Sequence, residues 1–262
     1  MTMKQKTIIA ITALALCALA VSCKNGAKKD GEAAQKIINE TALRAAVKNG
    51  DLFVVRQLIQ AGADVNATDE DEMTALMIAA EYGTADIVRM LINAEADVNA
   101  KNNKDDTALM YAAEYDTTDI VRMLIDAGAD VNATNGAGMT ALINAAYRGA
   151  STIAKKLIDA GADVEAKTYE GTTALMLAAR ENSADVAKLL IDAGADVNAE
   201  NDYGETALMF AAGRDAIDVA VVLLNSGADV NAMSKNDWNA LMYAKANDAE
   251  DMIQLLEAAG AQ

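Results

Sequence analysis

The sequence predicts an all-α solenoid of about seven 33-residue helix-turn-helix units joined by extended hairpin loops. Three observations predict it. Gly-Ala-Asp-Val-Asn recurs with its first residue at 62, 95, 128, 161, 194 and 227, and Gly260-Ala261 opens a further copy, every step being 33. Thr-Ala-Leu recurs in register at 41, 74, 107, 140, 173 and 206, and then as Asn239-Ala240-Leu241. Between these signatures apolar residues return at helical spacing, as at Ile87, Val88, Leu91 and Ile92. Strict self-similarity of this period marks stacked supersecondary units, each burying its apolar face against the next.

Composition agrees and excludes several functions. Apolar residues make up 53% of the 262, but aromatics only 4%, so the core is built from Ala, Leu, Ile, Val and Met. The chain has 39 acidic and 22 basic residues, a net charge of −17, with no His, no Pro and two Cys. Without His there is no Ser-His-Asp or Cys-His site and no histidine ligand for zinc. A chain this acidic is a poor match for nucleic acid, whose affinity comes largely from Lys and Arg on phosphates.

At the N-terminus, Lys4 and Lys6 precede an uncharged run from Ile8 to Val21. That run is short for a spanning helix, which needs ~20 residues, but suits the apolar region of a secretory signal. It closes as Leu19-Ala20-Val21-Ser22-Cys23. Small residues directly before a Cys resemble the lipobox of bacterial lipoproteins, although Ala20 stands where that motif usually has Leu. The resemblance implies a signal peptide over 1–22 and lipidation of Cys23. It also implies export to the cell envelope, on its periplasmic or surface side. The alternative is an ordinary cleaved signal with Cys23 as a plain thiol. After cleavage Cys23 is the only Cys left, since Cys17 lies in the apolar run, so no intrachain disulfide can form. Loss of Lys4 and Lys6 leaves 20 basic against 39 acidic residues, a net of −19. Residues 23–36, small and polar, read as the lipidated Cys and a flexible tether, and 37–262 as the repeat domain.

Each unit follows one plan. Thr41, Thr74, Thr107, Thr140, Thr173, Thr206 and Asn239 are expected N-caps of a first helix. A punctuation column of Gly50, Gly83, Asp116, Gly149, Asn182, Asp215 and Asp248 holds residue types that tolerate the left-handed conformation ending a helix. A second helix opens with pairs such as Thr84/Asp86 and Thr117/Asp119, favourable to its N-terminal dipole. It stops at the Gly of Gly-Ala-Asp-Val-Asn, which is replaced once, by Glu95. A polar loop then leads to the next cap.

Thr-x-Leu-x-x-Ala-Ala, then Gly, then Ile-Val-x-x-Leu-Leu, then Gly-Ala-Asp-Val-Asn, all at fixed offsets, resemble the ankyrin repeat. The resemblance covers residues 41–262. The family's Thr-Pro-Leu-His reads Thr-Ala-Leu-Met here, with Met77, Met110, Met176 and Met209 in place of His. Arg44 at the first Met position, and Lys245 and Glu257 in the last unit, put polar groups on faces that have no neighbour.

The resemblance implies a non-catalytic scaffold that binds another protein through a concave face made of loop tips and first-helix ends. On that face fall Tyr82, Tyr115 and Arg148 at the helix ends, and Tyr169, Tyr203 and Trp238 on the loops. Tyr, Trp and Arg are the types enriched at binding hot spots, and these six are the expected anchors. A basic partner suits the charge; no nucleic acid, cofactor or metal is expected, and the membrane only through the anchor. The Met residues read as core packing. The cluster Asp69-Glu70-Asp71-Glu72 lacks the ligand spacing of an EF-hand and reads as a solvated loop tip. Two readings from other classes stay open: a hydrolase using groove carboxylates, and a passive acidic envelope protein.

Overall fold

The computed structural model describes residues 28–262; the expected signal peptide over 1–22 and Cys23 lie outside the described residues. Fourteen helices follow in seven pairs among the described residues. They are α1 (Lys28–Lys48) and α2 (Leu52–Gln60), α3 (Ala75–Glu81) and α4 (Ala85–Asn93), α5 (Ala108–Glu114) and α6 (Thr118–Asp126). Then come α7 (Ala141–Tyr147) and α8 (Ser151–Asp159), and α9 (Ala174–Arg180) and α10 (Ala184–Asp192). The last are α11 (Ala207–Ala212) and α12 (Ile217–Asn225), and α13 (Ala240–Ala246) and α14 (Glu250–Ala258). First helices stack on first helices and second on second, giving two helical layers. None of the described helices is long and apolar enough to cross a membrane.

The first helices are short because their ends are chemically fixed. Thr74 adopts an extended backbone and its Oγ1 accepts the N–H of Met77 at 3.2 Å. Thr107, Thr140, Thr173 and Asn239 cap in the same way. Thr206 has the cap backbone, but its buried hydroxyl is unpaired, and the Met209 N–H turns to the Thr206 carbonyl at 3.0 Å. All seven residues of the punctuation column have positive φ, from 51° at Asn182 to 70° at Gly50. The second helices carry Asp86 and Asp119 in their first turns, as expected. Thr84 and Thr117 make no side-chain cap; their hydroxyls donate back to the carbonyls of Ala79 and Ala112, at 3.3 and 3.1 Å. They tie the turn to the preceding helix.

Unit one departs from the plan in two places. Thr41 is not an N-cap; it sits exposed inside the continuous helix α1, whose backbone is already helical from Lys28, within the stretch expected to be a tether. In later units a polar loop leads into the cap, whereas Thr41 has helix on both sides. Helix-favouring residues therefore run straight through. Gln35 donates to Asn39 at 2.8 Å, and Lys36 lies 3.7 Å from Glu40 and 3.5 Å from Asp64.

Small residues let the layers approach. In α3 every residue from Ala75 to Ala80 is buried, and Met77, Met110, Met176 and Met209 are all within 2% of full burial. Each second helix contributes a stripe such as Ile87, Val88 and Leu91. At the C-terminal end Met242 is 42% exposed and Lys245 pairs with Glu257 at 3.5 Å.

The loops are joined by a polar clamp. Asn66 Nδ2 donates to the Glu95 carbonyl at 3.3 Å while its Oδ1 accepts the Asp97 N–H at 2.7 Å. Asn99, Asn132, Asn198 and Asn231 repeat both bonds. Glu165, in the same column, accepts from Asp196 at 2.7 Å; an ionised carboxylate has no hydrogen to donate in return.

Glu95 is the strained member of its column, with φ of 64°. Gly62, Gly128, Gly161, Gly194, Gly227 and Gly260 hold φ from 81° to 98°, and a Cβ there would meet nothing within 4 Å. The cost at Glu95 is therefore conformational alone, on the order of 1 kcal/mol. Glu95→Gly should raise the urea midpoint of the array by an amount equivalent to ~0.5–1 kcal/mol, because glycine also gains freedom in the unfolded chain. An unchanged midpoint would show that the left-handed backbone costs glutamate nothing here.

Candidate binding groove

The loops and the C-terminal ends of the first helices share one face, and local chemistry sets its geometry. Each loop folds around a side-chain acceptor: Asn102 Oδ1 takes the N–H groups of Lys104 and Asp106, both at 2.9 Å, and Asn135 and Asn201 do likewise. Asp69 plays this part too, accepting from Asp71 and Met73 at 3.0 and 2.9 Å, so it closes a turn within the acidic cluster. Successive tips are then locked by backbone bonds. Tyr169 N donates to Ala137 O at 3.1 Å, Asp202 N to Glu170 O at 3.0 Å, and Lys235 N to Tyr203 O at 2.9 Å.

All six expected anchors lie exposed on this face. Tyr82, Tyr115, Tyr169, Tyr203 and Trp238 are between 40% and 73% accessible, and the Arg148 side chain 43%. Tyr82, Tyr115 and Arg148 form one neighbourhood, since Arg148 and Tyr82 both act on the Tyr115 hydroxyl. Arg148 Nε also donates to the Glu114 carbonyl at 2.9 Å, which fixes it to the preceding unit. Tyr169 and Tyr203 line a cleft of about 620 Å³ in units four to six, with Tyr147, Leu177, Arg180 and Phe210 along the first helices. Trp238 packs at a tilt of 59° against Tyr243 with ring centroids 5.1 Å apart, and Tyr243 Oη donates to Glu205 at 2.8 Å on the cleft rim.

Tyr147, Arg180 and Phe210 were not singled out from the sequence, nor were Tyr111 and Tyr243. For Tyr111, Phe210 and Tyr243 the signal was available: the fourth residue after each cap reads Ala45, Ile78, Tyr111, Asn144, Leu177, Phe210 and Tyr243, varying while the residue after it stays Ala.

The electrostatics of the face are those of rings among carboxylates. Burial, and then Asp106 and Glu81, push the Tyr111 hydroxyl up to about 12; its partners are Asn102 at 3.0 Å and the Met73 sulfur at 3.4 Å. Burial, Glu114 and Glu81 raise Tyr115, and burial and Glu205 raise Tyr243. Cations rest on ring faces. Lys48 Nζ is 5.4 Å from the centre of the Tyr82 ring, and the Arg180 and Arg148 guanidiniums are 5.1 and 5.9 Å from that of Tyr147. Among the described residues no group of three or more His, Cys, Asp or Glu is placed to hold a metal ion.

Comparisons with known proteins match these features. No curated protein matches the sequence. Among solved structures, the chain is similar to the crystal structure of the ankyrin repeat domain of Bcl-3, described as a unique member of the IkappaB protein family. The TM-score is 0.69 at 30% identity, over 81% of this chain and 97% of that one. The family model for ankyrin repeats in three copies matches residues 43–135, 132–201 and 194–262. With the period, the caps and the paired helices in agreement over that span, the chain belongs to the ankyrin-repeat family.

Proposed function

We propose that this protein is a non-catalytic scaffold that is exported, held at a membrane through a lipidated Cys23, and binds a partner protein through the groove of its repeat array. Ankyrin repeats mediate protein–protein interaction. The observation that carries the reading for this chain is the gathering of scarce aromatic residues, with Arg148 and Arg180, on one exposed face. In a chain with 4% aromatics, five of the eleven large exposed apolar side chains among the described residues are the predicted Tyr and Trp anchors, and Tyr147 beside them is a sixth. Glu205 on the groove accepts from Asn201 at 2.9 Å as well as from Tyr243, bonds that hold it in place. The acidic balance of the chain favours a basic partner, whose association should slow as salt rises.

Alanine at Tyr82, Tyr115, Arg148, Tyr169, Tyr203 and Trp238 tests the groove. Each true anchor should cost the complex more than ~1 kcal/mol, and one or two about 2 kcal/mol, with melting nearly unchanged. Arg89 and Arg122 are exposed on the second helices, where they pair with Asp86 and Asp119, and alanine there should leave binding intact. The reverse pattern would move the interface to the outer helices. The anchor has its own test. Cys23→Ser should shift the protein from the detergent phase to the aqueous phase, and an unmodified Cys23 in native material would end the lipoprotein claim. Stable anchoring requires more than one acyl chain.

A further inference from the structure

We infer that the cleft of units four to six is a receptor for an arginine side chain presented by an extended basic segment of the partner, the rest of which lies along the acidic first-helix ends of units two and three. This deepens the groove reading above and rests on it. The cleft has the two components that hold a guanidinium: aromatic faces and carboxylates. Tyr169, Tyr203 and Phe210 supply the rings and Glu170 and Glu205 the charge around about 620 Å³ of open space, with Arg180 also on the lining. Tyr169 is 73% exposed and Tyr203 51%, so their faces are free to take a ligand.

The protein already uses this chemistry at the same place. Two of its own guanidiniums, Arg148 and Arg180, lie within 6 Å of the centre of the Tyr147 ring, and Arg180 is paired with Glu181 at 3.0 Å. A planar cation stacks on a ring while its edge hydrogens reach a carboxylate, which suits arginine better than lysine. Arg180 is paired with Glu181, and among the described residues Glu170 and Glu205 have no cation partner. Glu205 is held in place by Asn201 and Tyr243, so it is positioned before a ligand arrives. Toward the N-terminal end of the groove, Glu81 and Asp106 both act on the Tyr111 hydroxyl, while Glu114 is paired with Arg148 at 3.7 Å. Glu81 and Asp106 there, with Glu170 and Glu205 at the cleft, supply the negative charge that a basic segment would meet, and the cleft selects its anchor.

The probe is a short Gly/Ser peptide carrying one arginine between lysines, compared with the same peptide bearing citrulline in its place. Citrulline keeps the shape and loses the charge. Both are titrated into the full chain at low salt, with calorimetry and the aromatic ring resonances as readouts. The arginine peptide should bind about tenfold more tightly and shift the cleft rings. Glu170→Gln with Glu205→Gln, and separately Tyr169→Ala with Tyr203→Ala, should reduce that advantage to about twofold or less. Tyr169→Phe with Tyr203→Phe keeps the rings and should keep the advantage, which separates ring stacking from a loss of fold. Equal binding of the two peptides, no binding of either, or an advantage that survives the cleft variants would overturn the arginine anchor. A natural partner lost on alanine substitution of the anchors but indifferent to Glu170→Gln with Glu205→Gln would also overturn it, while leaving the groove reading in place.

Discussion

Met176→Ala is expected to destabilise the array by about 2–5 kcal/mol, the range for removing a fully buried large side chain from a packed interior. Met176 is 0% exposed on α9, which is packed between α7 and α11, so the vacancy opens both interfaces of the fifth unit. Because a repeat protein is stabilised unit by unit and joint by joint, damage in the middle should also split the array. Urea unfolding of Met176→Ala should be broader than that of the parent, or divide into two transitions. Met242→Ala is the control. It sits in the same column of the last unit, 42% exposed, and should cost less than ~1 kcal/mol. Equal losses at the two positions would show that the column does not pack as described.

Gly171→Ala should cost about 2–4 kcal/mol, from two separable causes. The residue has φ of 75°, a left-handed backbone that costs a residue with a Cβ roughly 1 kcal/mol. A Cβ there would also lie 2.8 Å from the backbone nitrogen of Asp202 and 3.1 Å from Asn201 Cα, contacts that backbone cannot relieve by rotating. Forcing the two loops apart adds ~1–3 kcal/mol. Gly194→Ala isolates the first cause, because it has φ of 98° and nothing within 4 Å of the added atom. The difference between the two melting shifts measures the loop contact. Hydrogen exchange should show faster opening of the Asp202 N–H to Glu170 carbonyl bond, which is 3.0 Å in the parent. Tyr169, Glu170 and Tyr203 flank that bond, so the variant should weaken groove binding as well.

The seven helix pairs were readable in advance because their boundaries depend on nearby atoms. A cap such as Thr74 is satisfied three residues on, and a left-handed site such as Asp116 reflects what its own Cβ tolerates. The same reasoning failed at Thr41, where the residue type is right but helix runs on both sides of it. At Thr84 and Thr117 the hydroxyls bond backward to Ala79 and Ala112, a use that residue type alone does not mark.

For the groove, the identity of the variable positions was in the sequence and their company was not. Tyr169 and Tyr203 could be placed on loop tips by periodicity. That they meet Tyr147, Arg180 and Phe210 around one cleft depends on how far each loop is drawn over the helix ends of its neighbours. The sequence by itself determined the period, the helix ends, the left-handed positions and the residues free to vary, because each follows from interactions spanning one turn or less. The tertiary structure alone decided that α1 runs through Thr41, which rings and charges converge, and how the loops are clamped. Those features rest on bonds such as the ones Asn66 makes to residues 29 and 31 positions away, whose partners exist only once a neighbouring unit has been stacked in place.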